Sequence, residues 1–185
     1  MTWNAFHNRG EILRNAIAAA DERCDGRLPL DVAGVNDVFD DELDLFGAMM
    51  LKWHTRLAGN LERALADQPL NLEAAVAGAW AQTAAALPGV RAVMDNHASA
   101  DDHPELAAAL GRAREREWAR LAISAGLANH VDAAAAKAGR HLEELGRASL
   151  ETPQATERAQ VEETSPSQEA PTKSFVDRIK AVLAA

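Results

Sequence analysis

Leu43, Phe46, Met49, Met50, Trp53, Leu57, Leu61 and Leu65 follow one another at steps of one, three and four residues, a spacing that gathers side chains on one side of an α-helix. At 100° per residue they cover an arc of about 160°, wider than a helix resting on a surface requires. Such a helix must be enclosed by others. Asp40, Asp41, Glu42 and Asp44 load its start with negative charge, which complements the helix dipole without invoking catalysis, so the helix is expected over 41–66. Composition agrees. The 185 residues include 41 Ala but only 14 Val and Ile together and no Tyr, leaving little material for a sheet. The predicted fold class is all-α, a single bundle of six or seven helices.

Proline and glycine punctuate the chain near Asp25-Gly26, Gln68-Pro69, Pro88-Gly89 and His103-Pro104. These breaks predict helices over 4–24, 32–39, 41–66, 72–87, 90–96, 104–125 and 131–149. The bundle domain is thus 1–149. Between 150 and 172 the sequence has three Pro, five Glu against one Arg and no aromatic residue, so a flexible acidic linker is expected, because too little apolar area is available to offset ordering entropy. From 173 to 185, Phe175, Val176, Ile179, Val182 and Leu183 form a one-sided apolar stripe on a predicted amphipathic helix. Alone, so short a helix is unstable in water. It is expected to dock on a groove, either its own or a partner's.

The formal net charge of −9 repels polyanions at long range, so no nucleic-acid partner is expected. Cys24 is the single cysteine, which excludes an intrachain disulfide and fits a reducing cytoplasm. It shares a helical face with Phe6, Leu13, Ile17 and Ala20 and is expected to be a small buried hydrophobe. Arg9, Glu11 and Arg14 interrupt any signal-peptide apolar region. The uncharged run Ala74–Val90 is too short and too rich in Ala to span a bilayer. A cytoplasmic protein with no stable membrane insertion is expected. Arg outnumbers Lys 15 to 4, which with the abundant Ala suggests a GC-rich bacterial genome.

Two polar residues fall on apolar helical faces. His54 lies inside the arc of the 41–66 helix, and Glu117 aligns with Leu106, Leu110, Ala113 and Leu121. A core histidine satisfied by a carbonyl or a neighbouring side chain, and a glutamate at the rim of the core, are the ordinary readings. If both point inward they pair, and a binding or acid-base pocket results. An internal pocket of roughly 300 Å³ beside His54 is the sign to look for. The segment 95–105 carries Asp95, His97, Asp101, Asp102, His103 and Glu105, but Asp102, Pro104 and Glu105 read more simply as a helix start in a solvated loop. Asp21, Asp25 and Gly26 read as a turn, because Arg23 and Val32 occupy places where a calcium loop needs oxygen ligands. No metal or cofactor is expected. Arg112, Arg116 and Arg120 make a ridge that reads as a solvated face. Phosphate-loop, dinucleotide and nucleophile-elbow signatures are absent, and no catalytic residue is assigned.

Met1-Thr2-Trp3-Asn4-Ala5-Phe6-His7, Asp41-Glu42-Leu43-Asp44-Leu45 and Lys52-Trp53-His54-Thr55-Arg56-Leu57-Ala58-Gly59 resemble a group of uncharacterised all-helical proteins of high-GC actinobacteria. The resemblance covers the body to about Ser149 and implies no activity and no catalytic residue. The linker and terminal helix resemble, in layout, the targeting peptides by which cargo docks to shells and scaffolds. The function these features predict is a non-enzymatic protein-interaction or adaptor module whose C-terminal helix meets a protein partner. The alternative is a ligand-binding or enzymatic bundle with a pocket near His54 and Glu117.

Overall fold

In the computed structural model, which describes residues 3–97 and 104–163, the chain is helical throughout its ordered elements, and no strand occurs among the described residues. The helices are α1 (Trp3–Arg23), α2 (Val35–Val38), α3 (Glu42–Ala66), α4 (Leu72–Ala86), α5 (Pro88–His97), α6 (Pro104–Ser124) and α7 (Ala133–Glu163). Their starts follow local chemistry. Asp41 caps α3 by accepting from the Asp44 backbone N–H at 2.8 Å, and Asn71 caps α4 by accepting from that of Ala74 at 3.0 Å. Pro88 opens α5 at a position where a missing N–H costs nothing.

α3 packs against α1, α4 and α5, as the breadth of its apolar arc requires. Its buried face is centred on Trp53 and comprises Leu45, Phe46, Met49, Trp53, Leu57, Asn60 and Leu61. That face is rotated from the expected one: Leu43 is 52% exposed, because it lies in the first turn on the edge away from Trp53. α4 shares the centre. Val76, Ala79 and Trp80 on it are fully buried, in keeping with a helix that is apolar all round. Asn60 donates to the Thr83 hydroxyl at 2.8 Å and Thr83 donates to the Ala79 carbonyl at 2.8 Å, so the polar atoms between α3 and α4 are matched. α1 and α5 meet at Gly89, where a Cβ would stand 2.0 Å from the Ala20 carbonyl. Only glycine permits that approach.

Two expectations need correction. Cys24 is exposed, not buried. α1 stops at Arg23, Cys24 turns to φ +48°, and its thiol donates to the Asp21 carbonyl at 3.0 Å, so the helical phase that would place it beneath Ala20 no longer holds. His97 lies in α5, not in a polar loop, with its ring stacked on Phe46 at 5.0 Å. Asp95 and Asn96 are helical with it; residues 98–103 of that segment lie outside the described residues. α7 runs to Glu163, so its backbone extends into the stretch 150–172 read from composition as a linker. The chain divides after Glu151 into two units. The rest of the expected linker and the docking helix with Phe175, Val176, Ile179, Val182 and Leu183 lie outside the described residues.

Candidate functional site: a buried network of carboxylates, arginines and tryptophans

Glu117, on α6, is buried to 5% exposure and sits at the centre of the interior rather than at its rim. A carboxylate at that depth is costly unless its oxygens are occupied, and four side chains surround it. Trp53 of α3 donates its indole N–H to one oxygen at 2.9 Å. Trp80 of α4 donates to the other at 3.4 Å. Arg91 of α5 places Nη1 3.6 Å from that second oxygen, and His54 places Nδ1 3.4 Å from the first. The structure therefore brings His54 and Glu117 together. It also shows a circle of partners that the sequence does not announce.

Arg91 passes the network on. Its Nε and Nη2 donate to Asp95, the Nε bond at 3.1 Å, and its guanidinium carbon lies 5.1 Å from the Trp53 ring centre and 6.0 Å from that of Trp80. Arg147 of α7 donates to Asp95 at 2.8 Å and to Glu143 at 2.7 Å while lying over Trp80 at 5.0 Å. Glu143, buried to 3% exposure, also accepts from Arg114 at 3.1 Å and from the Trp118 indole at 2.6 Å. Arg91, Arg114 and Arg147 thus face Asp95, Glu117 and Glu143. Positive and negative charges match: Arg91, Glu117 and Glu143 are desolvated beside counter-ions, while Arg114, Arg147 and Asp95 keep partial contact with solvent. The indoles add donors as well as apolar area, which is why buried Trp so often adjoins an acceptor.

The titrations follow this arrangement. Burial pushes the His54 imidazole down from its ordinary value; Glu117 opposes the shift, while Arg120 and Arg91 reinforce it. Burial pushes the Asp95 carboxyl up, but hydrogen bonds and charge from Arg91 and Arg147 more than offset it and hold the group below the usual range. Glu143 is likewise held low: burial opposes ionisation, and Arg91, Trp118, Arg147 and Arg114 prevail.

Beside this network, Phe46, Met50, His54, Arg91, Met94, Leu110, Arg114 and Glu117 line a cavity of about 20 Å³. That is space for one water molecule and far below the volume of a small-molecule site. Arg91 Nη1 and Arg114 Nε, both buried, make no hydrogen bond within the protein; each belongs to a residue that lines this cavity. Among the described residues, no group of three or more His, Cys, Asp or Glu side chains is arranged to hold a metal ion.

Of the residues singled out from sequence, His54 and Glu117 meet here. Arg91, Asp95, Arg114, Glu143, Arg147 and the three tryptophans had not been assigned to a site. One signal for Arg91 existed: it ends the uncharged run from Ala74 to Val90, so a charge at that point of an apolar helical stretch had to find a partner. The Arg112, Arg116 and Arg120 ridge is exposed, as expected. Comparison of the chain with protein-family models, with curated proteins and with solved structures finds no match. Among the described residues, no helix is long and apolar enough to cross a membrane.

Proposed function

We propose that the chain is a non-enzymatic protein-interaction module in which a helical body presents a C-terminal amphipathic segment to a protein partner. The observation that carries this reading is the filled interior at His54 and Glu117. The carboxylate most central to the body is engaged by Trp53, Trp80, Arg91 and His54, and the adjoining cavity has room for one water. A general base needs access to a substrate proton, and the Glu117 side chain is 2% exposed and lines a cavity too small for a substrate. What the body leaves for recognition is therefore outside the core, and the apolar stripe Phe175, Val176, Ile179, Val182 and Leu183 is the segment of sequence best suited to it. The alternative, a ligand-binding or enzymatic body centred on His54 and Glu117, has the 3.4 Å contact between them in its favour and the small cavity against it.

The test is a Phe175→Asp/Ile179→Asp double variant of the full chain. Expected is loss of every co-purifying protein that the unaltered chain retains, with the melting temperature of the body unchanged. A lowered melting temperature would place the stripe within the fold of the body. Identical co-purification from both chains would end the interaction reading.

A further inference from the structure

Where α6 and α7 cross, their backbones touch: a Cβ on Gly139 would stand 1.7 Å from the Trp118 carbonyl oxygen. Ala119, Ala122 and Ala135 pack in a separate small cluster beside that crossing. Small residues at the crossing, flanked by long ones, open a cleft of about 500 Å³ along its side, within the range of small-molecule sites. Its walls carry Arg112 and Arg116 from α6 and Lys137 and Arg140 from α7, against Glu115 and Asp132.

The local charge is positive on a chain whose net charge is −9. Asp132 is already engaged: it caps α7 by accepting from the Ala135 N–H at 2.7 Å and faces the His130 imidazole at 2.8 Å. Arg112, Arg116 and Lys137 form no ion pair among the described residues. Trp118, half-buried at the base of the cleft, is fixed by its bond to Glu143 at 2.6 Å, and Arg140 lies over its ring at 5.9 Å. Arg140 also donates through Nε to Glu144 at 3.1 Å, so Arg112, Arg116 and Lys137 are the cations of this wall left for a ligand. We propose that this cleft binds a small molecule bearing two or more phosphate groups. The Arg112 and Arg116 guanidiniums of α6 and the Lys137 ammonium of α7, lining the same cleft, suit phosphate oxygens, which accept several charge-assisted N–H donors, and the acidic remainder of the body disfavours long polyanions.

The experiment is calorimetric titration of the full chain with inorganic tripolyphosphate and with ADP, at low and high salt, alongside citrate and a single-stranded oligonucleotide. Saturable binding of tripolyphosphate, ADP or both is expected, weakened by salt and reduced at least about tenfold in an Arg116→Ala/Lys137→Ala double variant, since each charge-assisted bond lost is worth that much. Arg56→Ala, on the exposed side of α3, should bind as the unaltered chain does, and all variants should melt alike. Binding of neither phosphate probe at millimolar concentration would overturn the proposal. So would equally tight binding of citrate, binding of the oligonucleotide alone, or affinity untouched by the double variant.

Discussion

The network around Glu117 and the cleft beside Trp118 use the same residue types to opposite ends. In the first, Arg91, Arg114 and Arg147 are answered by Asp95, Glu117 and Glu143, and the space left over is about 20 Å³. In the second, Arg112, Arg116 and Lys137 lack ion-pair partners among the described residues and face about 500 Å³. An arginine beside a tryptophan is thus neither structural nor functional by type. What decides is whether the carboxylates of neighbouring helices match it and close the space around it.

The sharpest way to break this contrast is to unbalance the interior. Glu117→Ala leaves two indole N–H groups buried without their acceptor and removes the carboxylate 3.6 Å from Arg91, which keeps Asp95; urea unfolding should show a loss of about 3 to 5 kcal/mol. A loss below about 1 kcal/mol would mean that the network is ornamental. Trp53→Phe keeps most of the apolar volume but removes a donor to an ionised group, so a loss of about 1.5 to 3 kcal/mol is expected in the same assay.

A smaller effect comes from His54. Its folded value is depressed by burial, so the folded protein binds fewer protons at this site than the unfolded chain. The associated stability is fully present above about pH 6.5 and is lost as pH falls through the lowered folded value. Melting curves between pH 7.5 and 5 should therefore slope less in His54→Leu than in the unaltered chain. Identical slopes in both would mean that burial at His54 has no energetic consequence. Smallest of all, Arg116→Ala should change stability by less than about 0.5 kcal/mol, because its guanidinium contacts no carboxylate among the described residues. A larger loss would move that side of the cleft into the network's class.

Much of the fold was legible because it is written in local signals. The acidic start at Asp40–Asp44, the Gln68-Pro69 and Pro88-Gly89 breaks and the Leu43–Leu65 periodicity are short-range features, and they locate α3, α4 and α5 to within a few residues. The same periodicity misjudged the face by a fraction of a turn. Leu43 projects outward and His54, with 30% of its side chain exposed, sits at the margin, because the position of α4 and α5 around α3 is not encoded in α3 alone. Glu117 could be picked out from its apolar neighbours in α6. Its donors come from α3, α4 and α5, separated from it in sequence by up to 64 positions, and no spacing rule reaches across such distances. Cys24 failed for a simpler reason, since one residue of helix end decides between a buried and an exposed thiol.

The central claim is that Arg91 and Glu117 act as members of one charge-matched interior. A double-mutant cycle on Arg91→Met and Glu117→Gln, read by urea unfolding, tests it most directly. The account predicts that the two losses are not additive, with a coupling of at least about 1 kcal/mol, because Arg91→Met leaves the buried Glu117 with only the indoles and His54, and Glu117→Gln leaves Arg91 with Asp95 as its ion-pair partner. Losses that add to within about 0.3 to 0.5 kcal/mol, the behaviour of independent sites, would contradict it.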